Sequence, residues 1–177
     1  MRPAAPLKSS PAKTEQIILF RVSGQLFAVS SASVQEVRSA DSMSGASTEI
    51  SAPGIRKVSH VARRGDRSLF IVNGAMHFGL HAAEGALLFV LRKTRTALLI
   101  DGIEKMTTMT RLQALPLSFC HEERQWYRGL TALDQTVVPV VKPEGFLSPE
   151  ELALLDAALL KTDEAAAAAL EETNSAQ

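Results

Sequence analysis

Residues Gln16–Val29 read Gln-Ile-Ile-Leu-Phe-Arg-Val-Ser-Gly-Gln-Leu-Phe-Ala-Val. A close echo follows at Gly85–Leu98, Gly-Ala-Leu-Leu-Phe-Val-Leu-Arg-Lys-Thr-Arg-Thr-Ala-Leu. Each stretch holds two short apolar runs around a polar turn, Ser23-Gly24 in the first and Arg92–Arg95 in the second, which predicts a β-hairpin in both places. The offset is 69 residues and it persists without a gap. It carries Phe20 onto Phe89, Val22 onto Leu91, Ala28 onto Ala97 and Val29 onto Leu98. It also carries Val34 onto Ile103, Val37 onto Met106, Val61 onto Leu130, Leu69 onto Val138 and Ile71 onto Val140. Nearly half the chain is apolar, so one matched pair means little; an unbroken register that includes both hairpins means two copies of one strand unit. Further runs at Leu69–Val72 and Thr136–Val141 complete an all-β reading, with turns too frequent for alternating strands and helices. The expected architecture is two small β-barrels, over roughly 16–80 and 85–145. Units that small bury modest area, so they are expected to pack on one another.

Composition bounds what such a chain does. Its 177 residues hold 19 Lys plus Arg against 19 Asp plus Glu, and 46% are hydrophobic. That excludes wholesale disorder, and a pI near 6.9 gives no global attraction to phosphate backbones or anionic lipid. Cys120 is the single cysteine, so no intramolecular disulfide or cysteine-built zinc site forms. Pro3, Pro6 and Pro11 mark Met1–Thr14 as a flexible leader without the apolar stretch of a signal peptide. No run approaches the roughly 20 apolar residues of a membrane span, which makes the cytoplasm the expected compartment.

After the strands the chain changes character. Leu147-Ser148-Pro149-Glu150-Glu151-Leu152 assembles a helix start, with Ser148 as N-cap, Pro149 in the first helical position and Glu151 closing a capping box. Leu152, Leu155 and Leu159 share one face, so the helix is expected to pack over 148–160. Past Thr162 the Ala/Glu stretch has few apolar anchors, and 161–177 is expected to fray.

Reactive signatures are sparse. No Gly-rich phosphate loop or G-x-S-x-G elbow is present. His77 and His81 stand four apart, but Gly79 interrupts them and no Glu follows His77 as in a zincin; they read as solvent-facing residues at a loop edge. Cys120-His121 are adjacent, so in extended chain they face opposite ways; a partly buried thiol beside an exposed imidazole is expected. Asp101 and Glu104 could form a carboxylate pair, but Asp101-Gly102 after an apolar run reads as a turn. No catalytic residue, metal or cofactor is assigned. The concentrated charge is Arg63-Arg64-Gly65-Asp66-Arg67, which is either a solvated loop or a contact surface, Arg being well suited to the latter.

These segments together resemble the CheW-type coupling proteins of bacterial chemotaxis. Phe20-Arg21-Val22 with Gln25–Val29 and then Val34-Gln35-Glu36-Val37-Arg38 is similar to that family's opening hairpin and its V-Q-E-[IV]-R segment. Arg64-Gly65 matches its L-R-G turn and Phe70-Ile71-Val72-Asn73 the strand that follows. Ala97–Gly102, Trp126–Leu133 and Ser148–Asp156 resemble the strand ending in Asp-Gly, the late aromatic–Gly–Leu–x–Ala–Leu segment and the closing helix. Ser59, Ala62 and Arg63 depart from the usual Gly-V-x-N-L-R-G, and a second cation thereby enters the turn.

The resemblance covers about Gln16 to Leu160 and implies two SH3-like five-stranded barrels with a C-terminal helix, and no catalysis. It implies an adaptor bridging the cytoplasmic tip of a methyl-accepting chemoreceptor and the regulatory domain of a CheA-type histidine kinase. Val34, Glu36, Val37, Arg38, Arg63, Arg64 and Gly65 would form the partner surface. Two alternatives remain at this level: a CheW-like module of another motility or signalling system, and a small-barrel nucleic-acid binder. The second lacks aromatics interleaved with its basic residues.

Overall fold

The computed structural model describes residues 14–43, 45–81 and 84–175; of the leader expected over Met1–Thr14, only Thr14 falls inside them. The first repeat supplies β1 (Glu15–Val22), β2 (Gln25–Ser30), β3 (Val34–Ser39), a short β4 (Ser47–Glu49), β5 (Val58–Arg64) and β6 (Arg67–Asn73), closed by the single-turn helix α1 (Gly74–His77). The second supplies β7 (Leu87–Leu91), β8 (Thr96–Ile100), β9 (Gly102–Met109), α2 (Glu123–Trp126), β10 (Tyr127–Leu133) and β11 (Thr136–Val141). A 27-residue helix, α3 (Pro149–Ser175), ends the described chain.

The 69-residue offset holds in the pairing of β5–β6 and β10–β11, whereas the hairpins differ by two residues, Phe20 pairing with Phe27 but Phe89 with Leu98. Val61 pairs with Phe70 in β5–β6, and their counterparts Leu130 and Pro139 pair in β10–β11. The register breaks fall at matching places too, between Val58 and His60 and between Tyr127 and Gly129. Two parallel pairings repeat in the same way, Ile71 with Ala97 and Ala28 with Val140.

The division into contiguous halves, 16–80 and 85–145, is corrected. The strands form a sheet ordered β10-β11-β2-β1-β9 and another ordered β3-β7-β8-β6-β5-β4. The first hairpin therefore leaves its own repeat and pairs with strands of the second, while β7–β8 joins β3–β6. A hairpin tied to its repeat by only a few residues, Ser31–Ser33 in one case and Asp101 in the other, can fold across to the neighbouring sheet while preserving its alternation of faces. The segment Asp41–Gly54 contributes β4 and buries Met43, Ile50 and Ala52.

Burial shows why the exchange is stable. One core lies between the sheets and includes Phe20, Phe27, Val58, Phe70, Phe89, Leu98, Ile100 and Leu155. Phe20 and Phe89, equivalent in the two repeats, meet edge to face with centroids 5.2 Å apart. Each sheet also wraps a smaller core of its own, Ile17, Leu19, Ala28, Val138 and Val140 in the first and Ala62, Leu69, Leu88, Val90 and Ala97 in the second. Leu19 and Leu88, and Ala28 and Ala97, are again 69-residue mates.

Helix α3 begins as its sequence requires. Ser148 Oγ accepts from Glu151 N at 3.1 Å, Glu151 Oε2 accepts from Ser148 N at 2.9 Å, and Leu155 and Leu159 are buried. The expectation of fraying past Leu160 is corrected: the helix runs to Ser175. Arg63 pairs with Asp163, and the packed first turns have already met the nucleation cost, so the Ala165–Ala169 run propagates the helix.

Candidate partner-binding site

Alternation along β3 and β5 decides what the seven candidate residues can touch. On β3, Glu36 and Arg38 lie opposite Val90 and Leu88 of the second sheet's own core, whereas Val37 lies opposite Phe89 of the shared core. On β5, Ala62 belongs to the second sheet's core, so Arg64 shares its face while Arg63 takes the other. Glu36 and Arg64 therefore meet although three strands separate β3 from β5 in the hydrogen-bonded order. The sheet curls to bring them together.

Glu36 Oε1 stands 2.7 Å from Arg38 Nε and 2.9 Å from Arg64 Nη1. Neither approach is aligned as a hydrogen bond; the aligned one is Arg64 Nη2 to Glu36 Oε2, at 3.3 Å. The carboxylate is thus held by two guanidiniums that remain substantially exposed, at 43% and 46% of their side-chain surface. Such pairs contribute little to stability at a surface but leave donors free for a second acceptor. Val37 is 42% exposed on the other face of the same edge strand. Gly65 turns the chain after Arg64 with φ at 61°, which suits a residue without a side chain.

Two candidates fall elsewhere. Val34 is 8% exposed and belongs to the shared core, so it supports β3 from beneath. Arg63 is taken by Asp163 on α3. The second repeat builds a reversed version of the same contact, with Lys105 of β9 3.5 Å from Asp134 in the β10–β11 turn.

The other reactive types have structural occupations. Asp101 Oδ2 accepts from Gly24 N at 3.1 Å, and Glu104 pairs with Arg21 at 2.8 Å, a guanidinium that holds its carboxyl below the usual range. Cys120 is exposed, correcting the partly buried thiol; its Sγ accepts from Glu123 N at 3.5 Å. His77 is the larger correction. It is buried, not solvent-facing, and its ring packs edge-on against Phe78, Trp126 and Phe146 at 4.5–4.9 Å. Burial first, and the charge of Lys57 second, lower its pKa to about 3. Its Nε2 has no hydrogen-bond partner among the described residues. Phe146 is its 69-residue mate, so the pair closes the shared core as Phe20 and Phe89 do. Burial likewise pushes the neighbouring Tyr127 phenol up to about 12, with a contribution from Glu123. Among the described residues no three His, Cys, Asp or Glu side chains gather as metal ligands, and no helix is long and apolar enough to cross a membrane.

Two exchanged strand repeats carrying a charged, partly apolar strand-and-turn surface define an all-β protein whose candidate site is a contact face. The CheW-like domain family matches residues 16–151, and the chain belongs to that family. Its members are non-enzymatic scaffold or adaptor proteins of chemotaxis signalling. A similar solved structure is that of the scaffolding protein TtCheW from Thermoanaerobacter tengcongensis. At 10% identity it aligns with a TM-score of 0.63 over 78% of this chain and 96% of that one, which shows the fold alone. A search of curated proteins gave no match.

Proposed function

We propose that the protein couples the cytoplasmic tip of a methyl-accepting chemoreceptor to the regulatory domain of a CheA-type histidine kinase, acting in the cytoplasm as an adaptor without catalysis. The observation that carries this reading is the Glu36–Arg38–Arg64 cluster on the edge strand β3, which also exposes Val37 on its other face, in a chain of the CheW-like family. An edge strand with charged side chains for orientation on one face and an apolar one for burial on the other has the composition of a specific contact. The same reading takes each curled sheet, wrapped on its own core, as an SH3-like barrel.

The test is titration of a receptor-tip fragment and of the kinase regulatory domain against wild type and Arg64→Ala. Removing one partner of a desolvated charge pair costs about 2–5 kcal/mol, so receptor affinity should fall at least about tenfold. The thermal midpoint should hardly move, because Arg38 still pairs with Glu36. Kinase-domain binding should persist. Equal receptor affinity for both proteins would refute the assignment of this face.

A further inference from the structure

Hydrogen bonding joins two turns that lie far apart in sequence. Phe70 N donates to Arg95 O at 2.8 Å, and Arg95 Nε donates to Ser68 O at 3.4 Å, so the β7–β8 turn sits against the start of β6. Between this junction and the start of α3 opens a cavity of about 670 Å³. Arg67 and Lys93 stand on its wall, and Pro143, Leu147 and Leu152 give it an apolar floor. Arg95 also lines it but is already committed, paired to Asp156 at 2.6 and 2.9 Å and lying 5.0 Å from the Phe70 ring centroid. Arg67 and Lys93 have no ion pair among the described residues. Two uncommitted cations beside an apolar floor, in a chain of zero net charge, concentrate positive potential locally.

The fold does not require this charge. The equivalent hairpin of the first repeat closes through the neutral two-residue turn Ser23-Gly24, and the residue equivalent to Arg67 is Thr136. The β7–β8 connection is two residues longer, and Lys93 holds a φ of 60°, a conformation easier for Gly or Asn.

We propose that this cavity docks an acidic segment of a protein partner, with one apolar side chain on Leu147, Leu152 and Pro143 and flanking carboxylates on Arg67 and Lys93. The contacts favour a peptide over a polyanion. Its apolar floor of Pro143, Leu147 and Leu152 seats a hydrophobic side chain, which a run of phosphates lacks, and among the described residues no aromatic side chain lines the cavity on which a base could stack. The inference stands apart from the coupling role, since it uses neither Glu36 nor Arg38.

The probe is a fluorescent synthetic peptide of alternating Glu and Leu, with a control carrying Gln for Glu, titrated into the full chain and mapped by amide chemical shifts. The Glu peptide should shift amides of residues 67–70, 92–96 and 147–152, and the Gln peptide should bind at least about tenfold more weakly. Arg67→Glu with Lys93→Glu should abolish the shifts, while Arg111→Glu, an exposed cation outside the cavity, should leave them intact. Lys93→Gly relieves the positive φ, so it removes the charge without endangering the fold; it too should weaken binding. Equal affinity for the two peptides, or unchanged affinity in Lys93→Gly, would overturn the proposal. So would an oligothymidylate or phosphatidylserine vesicles that bind the same residues more tightly than the Glu peptide.

Discussion

His77 shows how one residue can be misread from sequence and yet govern a property of the whole fold. A His followed by Gly79 and His81 has the local look of a loop, and only packing reveals that its ring fills the space between α1, Trp126 and Phe146. Because burial lowers its folded-state pKa to about 3 from an ordinary 6.5, the unfolded chain binds its proton first as pH falls. The stability it confers is complete above about pH 6.5 and is lost below that, at about 1.4 kcal/mol per pH unit, until the folded ring titrates near pH 3. Between pH 7 and pH 5 the wild type should therefore lose about 2 kcal/mol more than His77→Phe, measured by urea unfolding at both values. Identical pH slopes for the two proteins would show that the ring is solvated. The candidate site follows the opposite course at this scale. Glu36, Arg38 and Arg64 were visible as charges, and alternation separates Arg63 from Arg64, but a string of letters does not say that it is the second that meets Glu36 while the first pairs with α3.

At the scale of elements, local chemistry was read most faithfully where every partner lies within a few residues. The Ser148–Glu151 capping box is of this kind, and both of its hydrogen bonds are present. Glu151 also pairs with Lys57 at 2.8 Å, which ties the cap to the start of β5 and could not be foreseen from spacing. Ser148→Ala should cost about 1 kcal/mol, with a lowered thermal midpoint as the readout. The end of α3 obeys a different balance. Residues 164–174 are exposed almost throughout and hold helix by propensity and continuity alone. Their amides should exchange with solvent much faster than those of Leu155 and Leu159, and deleting 164–177 should leave the midpoint within about 1 °C. Comparable protection along the whole of α3 would mean that its far end packs on something.

Across the whole molecule, hairpin exchange makes the repeats mutually dependent. Neither sheet is complete without strands from both, and the core containing Phe20 and Phe89 belongs to neither repeat. Unfolding should accordingly be a single cooperative transition, with fluorescence of Trp126 and far-ultraviolet circular dichroism tracing coincident curves in urea. Two separated transitions would mean that the repeats hold themselves together independently.

The sequence by itself determined the strand periods, both hairpins, the 69-residue repeat and the start of α3. All of these depend on alternation, turn chemistry and capping, which act over two to four residues and leave a pattern in the letters. Tertiary structure decided which sheet each hairpin joins, because the same alternation of faces suits either neighbour and the pairing observed joins strands distant in the chain. It also decided that Val34 and His77 are interior, that β4 exists and that Arg67 and Lys93 share a cavity. Those outcomes depend on contacts between residues distant in the chain, for which a single sequence carries no local sign.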